Sequence, residues 1–79
     1  MKTPGPVILY TRDGCHLCEL AANLLDEAGV AWRPVDIDGD AALSERYGLL
    51  IPVVRRPDTE RELAFPFDAE GLACFLANE

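Results

Sequence analysis

Two cysteines separated by two residues, Cys15 and Cys18, form the motif with the clearest chemistry in this 79-residue sequence. Residues three apart are neighbours on a helix surface, so their sulfur atoms would be close enough for a disulfide. An apolar run before the motif and a helical period after it place Cys15 at a helix N-terminus. Unpaired N–H groups and the helix dipole stabilise a thiolate there, and the thiolate is the nucleophile of disulfide exchange.

The two thiols are expected to have unequal roles. Cys18 aligns with the apolar helix positions Ala21 and Leu25, so it should be the more buried sulfur. Cys15 would then attack a substrate disulfide, and Cys18 would resolve the mixed disulfide by attacking Cys15. His16 could add positive potential near Cys15, and we interpret it as a solvent-facing helix-start residue rather than a proton shuttle.

The same thiols allow other interpretations. A Cys-x-x-Cys pair is half of a zinc site, but structural zinc usually takes four protein ligands. The other candidate ligands are His16 and Cys74, and Cys74 is predicted roughly 9 Å along the last helix from its start. We interpret Cys74 as a half-buried helix residue and predict no metal ligands. A metal or iron–sulfur carrier, a redox-inactive adaptor and two incidental thiols are the alternatives to a redox pair.

Composition narrows the class of protein. Fourteen acidic against seven basic residues leave a formal charge of −7, which argues against nucleic acid or an anionic membrane as partner. A 49% hydrophobic content permits a core, and three cysteines are too few for a disulfide-stapled secreted protein. Without a targeting, membrane or lipidation motif, we expect one domain over residues 1–79, monomeric and cytoplasmic.

The elements that must position the cysteines follow from hydrophobic patterns. Residues Val7 to Thr11 form an apolar run rich in β-branched side chains, which is typical of a central strand. Residues 17–28 have helical spacing of apolar side chains, and Gly29 stands at the expected C′ position. A second strand over 30–36 contains Pro34, which cannot donate to a β-ladder, so this strand should lie at a sheet edge.

The remainder of the chain predicts a short helix, a hairpin and a last helix. The strands should span 51–55 and 62–65 around a turn at 57–60, and the helices should begin at Asp38 or Asp40 and at Asp68. The order is β-α-β-α-β-β-α. It predicts an α/β fold with a four-stranded mixed sheet flanked by three helices.

Two charged clusters are interpreted as structural. The alternating carboxylates Asp36, Asp38 and Asp40 resemble the start of a calcium loop, but neither the required glycine nor the bidentate glutamate follows. They should end a strand and cap a helix. Arginines 55, 56 and 61 should form a solvated hairpin surface. Their expected partners are Asp58, Glu60 and Glu62.

The segment from Leu9 to Cys18 resembles the active-site segment of the glutaredoxin branch of the thioredoxin fold. Residues 35–48 are similar to that family's second strand and second helix, and Ile51-Pro52-Val53 lies where the family carries its cis-proline. The resemblance spans about residues 7–77. It implies a thioredoxin fold and a thiol–disulfide oxidoreductase that uses the two cysteines.

The resemblance also implies how a substrate would bind. Ile51 precedes the implied cis-proline, Pro52, and its backbone would pair with the extended chain of the substrate. Arg12 matches a basic residue that can reach a glutathione carboxylate, and a solvated surface arginine is the alternative. Asp68 matches the polar or acidic residue after the family's Gly-Gly pair, with a role as helix N-cap as the alternative.

The chain departs from the family at that glycine pair. The glycines let backbone N–H groups approach glutathione, whereas here Pro66 offers no N–H and Phe67 adds bulk. With Leu17 and Ile51 these residues could form an apolar rim that suits a protein disulfide, although Phe67 could instead pack under the last helix. We expect no bound cofactor. The substrate would be a disulfide-containing protein or a small thiol, and the donor a reductase or, weakly, glutathione.

Overall fold

The computed structural model describes residues 6–77, and its elements follow the predicted order with one addition. They are β1 (Val7–Thr11), α1 (His16–Glu27), β2 (Trp32–Asp36), a 3-10 turn (Ile37–Gly39), α2 (Ala41–Tyr47), β3 (Val53–Arg56), β4 (Arg61–Ala64) and α3 (Ala69–Ala77). The sheet order is β2-β1-β3-β4; β2 runs parallel to β1, and the other pairs are antiparallel. The predicted α/β fold, a four-stranded mixed sheet with three helices, is confirmed.

The edge position of β2 is confirmed, and the strand starts two residues later than predicted. Pro34 lies opposite Leu9 on the outer strand, where its missing N–H costs no ladder hydrogen bond. The start is delayed because Val30 donates its N–H to the Leu25 carbonyl at 3.4 Å. Gly29, with φ of +71°, makes that helix ending possible, as its predicted C′ position required.

The third strand also begins later, at Val53 rather than at Ile51. The N–H groups of Leu50 and Ile51 both donate to the Tyr47 carbonyl, at 2.8 and 3.1 Å. These residues therefore continue the turn after α2 instead of pairing in the sheet. The peptide bond between Ile51 and Pro52 is cis. The fourth strand is likewise displaced by one residue from its predicted bounds.

Each predicted aspartate of the 36–40 segment has a different task. The Asp40 carboxylate caps α2 by accepting N–H groups from its first turn at 2.9 and 3.2 Å. Asp36 caps the 3-10 turn by accepting the N–H of Asp38 at 2.9 Å. Of the two predicted caps, Asp40 is therefore the residue that caps α2, and the Asp38 carboxylate binds Arg12 instead.

The sheet buries a different cluster on each face. Under α1 and α3 lie Val7, Leu9, Ala21, Leu25, Val54 and Leu72. Near α2 lie Tyr10, Ile37, Tyr47 and Val53. Because side chains alternate along a strand, β1 contributes to both clusters, and helices pack against it on both faces of the sheet. Within residues 6–77, every helix is too short or too polar to cross a bilayer.

Arg56 is buried, which overturns the prediction of a solvated arginine. It is 3% exposed, and its guanidinium donates to the Asp58 carboxylate at 2.7 and 3.1 Å and to the Phe75 carbonyl at 2.9 Å. Strand alternation places Arg56 on the same face as Val54, toward α3. The hairpin and the end of α3 are therefore joined by one buried cation. Arg55 points the other way and forms the predicted pairs with acidic neighbours.

Replacing Arg56 by methionine should lower the free energy of unfolding by about 2 kcal/mol, because charge-assisted hydrogen bonds to Asp58 and Phe75 are lost. Urea denaturation of wild type and variant measures the difference. Arg61→Met is the matched control; Arg61 is exposed, so its loss should cost no more than about 0.5 kcal/mol. Equal effects of the two substitutions would contradict the role of Arg56 in joining the hairpin to the end of α3.

Candidate functional site

The two cysteines lie where β1 leads into α1. Cys15 is the N-cap of α1, and its Sγ accepts the N–H of Cys18 at 3.1 Å. Their Cα atoms are 5.2 Å apart, and the sulfurs are joined as a disulfide. Cys18 is 4% exposed, whereas Cys15 is half-buried. The predicted capping position of Cys15 and the greater burial of Cys18 are both confirmed.

A tight turn brings the chain from β1 to the first cysteine. Cys15 donates its N–H to the Arg12 carbonyl at 3.3 Å, and Gly14 within the turn has φ of +76°. That left-handed conformation favours glycine. A Cβ at Gly14 would meet no atom within 4 Å, so the backbone conformation and not lack of space accounts for the glycine.

Arg12 is bound to another part of the chain. Its Nε lies 3.1 Å from both carboxylate oxygens of Asp38, and its Nη2 lies 2.9 Å from Oδ1. These hydrogen bonds, and then the charge of Asp38, raise the pKa of Arg12 above its ordinary value. The Arg12 Nη2 atom is also 3.9 Å from the place where a Cβ on Gly48 would lie. Arg12 therefore ties the turn before Cys15 to the 3-10 turn.

Exposed apolar side chains stand on the first turn of α1 and on the loop that precedes Ile51. Leu17 in the first turn of α1 is 47% exposed, and Leu49 in the loop after α2 is fully exposed, followed by the half-exposed Leu50. His16 is exposed, as predicted. Leu49 and Leu50 were not among the predicted site residues, because a leucine between a helix and a strand gives the same signal in the sequence whether it is buried or exposed.

Ile51 and Pro52 lie on the β3 side of the thiol pair. The Ile51 N–H already donates to the Tyr47 carbonyl, so it is not open to the backbone of a substrate. The Ile51 carbonyl accepts no hydrogen bond from any residue within the described range 6–77. Pro52 is buried, and its carbonyl accepts the N–H of Phe65 at 3.0 Å.

The residues before α3 occupy structural positions. Phe67 is half-buried against the core and meets Phe65 edge-on, with ring centroids 5.3 Å apart. The Asp68 carboxylate caps α3 by accepting the N–H of Gly71 at 2.7 Å. Packing and capping were the alternatives to substrate contact for these two residues. Pro66 between the two phenylalanines is exposed and follows a second cis peptide bond.

Cys74 is exposed, so the expectation of a half-buried residue is wrong. It lies two positions after the buried Leu72, and two residues rotate a helix by about 200°, which turns its side chain away from the sheet. Across residues 6–77, no three histidine, cysteine or acidic side chains come together as metal ligands.

A buried tyrosine supports the loop that carries Ile51. The Tyr47 hydroxyl donates to the Glu62 carboxylate, and its ring stacks on Tyr10 with centroids 4.3 Å apart. Burial, and next the hydrogen bond to Glu62, raise the pKa of Tyr47 to about 12. Because its carbonyl also receives two N–H groups of the loop, Tyr47 anchors Ile51 to the sheet. No local sequence pattern pairs positions 47 and 62, so the contact was missed.

The element order, sheet topology and helix-start thiol pair define a thioredoxin-like fold. The family model described as Glutaredoxin-like domain (DUF836) matches residues 6–77, and the chain belongs to this family. The comparison with curated proteins finds no significant match.

Three solved structures are similar along nearly the whole chain. The X-ray structure of target protein XcR50 from X. campestris is 47% identical, with a TM-score of 0.87, and the match covers 92% of this chain and 97% of that one. Its solution structure matches at 47% identity and a TM-score of 0.84, covering 94% and 95%. The solution structure of protein Ne2328 from Nitrosomonas europaea is 26% identical, with a TM-score of 0.78 and coverage of 98% and 96%.

Tyr47→Phe should lower the free energy of unfolding by about 2 kcal/mol at neutral pH, since the hydrogen bond to Glu62 is lost. The folded pKa lies above the ordinary value of 10.0, so the protonated hydroxyl stabilises the fold fully below pH 10 and that stability is lost as pH rises through about 12. The gap between the two proteins should therefore shrink over this range in urea denaturation. Tyr10→Phe keeps the hydrogen bond and is the control; a pH-independent gap for Tyr47→Phe would contradict the contact.

Proposed function

We propose that this protein is a dithiol–disulfide oxidoreductase that reduces disulfides in polypeptides. The observation that carries the proposal is the Cys15 Sγ atom at the N-cap of α1, accepting a backbone N–H, with the buried Cys18 one turn later. In the reduced protein the same N–H and the positive helix end stabilise a Cys15 thiolate. The second thiol is protected from competing reactions by its burial.

The proposed reaction consumes both protein thiols. The Cys15 thiolate attacks one sulfur of a substrate disulfide, forms a mixed disulfide, and expels the other substrate sulfur as a thiolate that takes up a proton. Cys18 then loses its proton and attacks the Cys15 Sγ atom, which releases the second substrate thiolate. The protein disulfide forms as one substrate disulfide becomes two thiols, a transfer of two electrons. A donor must return two electrons and two protons.

A polypeptide suits the surroundings of Cys15 better than glutathione does. The exposed Leu17, Leu49 and Leu50 offer apolar surface, and the Ile51 carbonyl is available to an N–H of an extended substrate chain. For an anionic tripeptide, the chain lacks the glycine pair before α3. We therefore assign substrate contact to the apolar residues and to Ile51 beside Pro52.

The electron donor is proposed to be a protein reductase, with glutathione a weak donor. Asp38 already binds the Nε and Nη2 edge of the Arg12 guanidinium and balances its charge, which weakens its attraction for a carboxylate of glutathione. A reducing compartment such as the cytoplasm suits a dithiol that must be returned to its reduced form.

The roles of the cysteines are tested by trapping. In a Cys74→Ser background, which removes the exposed third thiol, Cys18→Ser should accumulate one stable mixed disulfide with a disulfide-containing peptide. Cys15→Ser in the same background should accumulate at least about tenfold less, because Cys18 is buried. Mass spectrometry under non-reducing conditions counts the adducts. Equal trapping by both variants, or a stoichiometric metal in protein purified without oxygen, would overturn the proposal.

The donor is tested by two coupled assays, one with glutathione and glutathione reductase and one with thioredoxin reductase. Wild type should turn over slowly with glutathione. Asp38→Asn should raise the glutathione-coupled rate by about threefold or more, because it frees the Arg12 guanidinium. Glu45→Gln makes the same change in net charge on exposed α2 surface and should leave the rate unchanged. Fast glutathione turnover by wild type would exclude this part of the proposal.

A further inference from the structure

A groove lies beside the thiol pair, on the opposite side from Ile51 and Pro52. It runs between the start of α1 and the outer strand β2 and encloses about 230 Å³. Its lining includes Cys15 and Cys18 at one end, Trp32 and Pro34 on β2, and Asp13 and Glu19 along the rim. Because β1 lies between β2 and β3, this groove and the Ile51 carbonyl flank the sulfurs from two sides.

We propose that this groove binds one arginine side chain of the substrate polypeptide, close in sequence to the disulfide cysteine. The inference rests on the proposed function and adds a substrate preference to it. The groove adjoins Cys15, so a substrate whose sulfur reaches that residue brings its neighbouring side chains to the groove.

The size of the groove favours a single side chain. Sites for small-molecule ligands usually enclose about 300–1,000 Å³, which is more than the volume of this groove. Pro34 and Ala22 give the groove an apolar lining on which an aliphatic stem can lie. An occupant with a slender stem and a charged end therefore matches the shape better than a nucleotide or a tripeptide does.

The charge of the rim favours a cation. Asp13 and Glu19 are exposed, and neither carboxylate has a hydrogen-bond or ion-pair partner within residues 6–77. The positive charge on the lining, Arg12, is already paired with Asp38. The rim therefore presents unpaired negative charge directly beside the sulfurs, complementary to a basic residue of the substrate.

Trp32 favours arginine over lysine. Its indole N–H donates to the Asp26 carboxylate at 2.8 Å, which holds the ring in place at the groove. A planar guanidinium stacks on an aromatic ring and forms two-pronged hydrogen bonds with carboxylates, whereas a lysine ammonium is a strongly hydrated point charge. Aromatic and acidic groups in one groove are thus suited to a guanidinium.

The test uses two peptides of equal length, each with one cysteine joined by a disulfide to a chromophoric aromatic thiol. They differ only in an arginine or a glutamine next to that cysteine. Cys15 of the reduced protein attacks the peptide sulfur, the aromatic thiolate leaves and is measured by absorbance, and Cys18 then releases the peptide thiol. Wild type should react with the arginine peptide about tenfold faster at low ionic strength, and salt should reduce this ratio.

The ratio of the two rates distinguishes an effect of the groove from a change in the reactivity of the thiols. Glu19→Gln should lower it to about threefold, and the double substitution Asp13→Asn and Glu19→Gln should bring it close to one. A general change in Cys15 reactivity affects both peptides and cancels in the ratio. Glu27→Gln, on the same helix but outside the groove, is the matched control and should keep the wild-type ratio. A wild-type ratio near one, or a double variant that keeps the preference, would overturn the inference.

A second measurement does not depend on thiol chemistry. Trp32 is the single tryptophan of the sequence, so its indole N–H gives an unambiguous nuclear magnetic resonance signal. In the oxidised protein this signal should shift saturably with the arginine peptide carrying serine for cysteine, and not with the glutamine peptide. Absence of the shift would overturn the groove assignment. A shift without thiol release from either peptide would leave the groove in place and exclude the oxidoreductase.

Discussion

The contact between the Cys15 sulfur and the Cys18 N–H is the interaction on which the rest of this site depends. Helix N-termini usually fill this position with a serine, threonine or acidic side chain, because orphan N–H groups need an acceptor. Here the acceptor is a sulfur atom, 3.1 Å from the nitrogen. The residue that begins α1 is therefore also the proposed nucleophile, and one interaction would account for both the start of the helix and the stabilisation of a thiolate.

Packing places this helix start between the two surfaces that we propose to bind substrate. Residues of β1 are buried on both faces of the sheet, so α1 is held against one face while Tyr47 anchors the loop after α2 against the other. The sulfurs then stand at the end of the central strand β1. The Ile51 carbonyl lies on the β3 side and the acidic groove on the β2 side. A bound polypeptide could therefore contact Ile51 through its backbone and the groove through a side chain.

Internal ion pairs decide which charges a partner meets. Arg12 is held by Asp38, Arg56 by Asp58, and Arg55 by glutamates of the hairpin. These pairs occupy basic side chains in a chain that already has twice as many acidic as basic residues. The carboxylates at the rim of the groove are left unpaired by the residues that the structure describes. Asp13 and Glu19 therefore present uncompensated negative charge at the surface beside the thiols.

Local features could be predicted from the sequence alone: the thiol pair at a helix start, the edge strand with Pro34, the cap at Asp68 and the order of the elements. Each depends on residues within about one helical turn or one strand, where spacing and backbone chemistry decide the outcome. The burial of Arg56, the hydrogen bond between Tyr47 and Glu62, and the groove beside β2 became visible in the folded chain alone. These join positions distant in the chain, and their meeting depends on how the helices pack against the sheet.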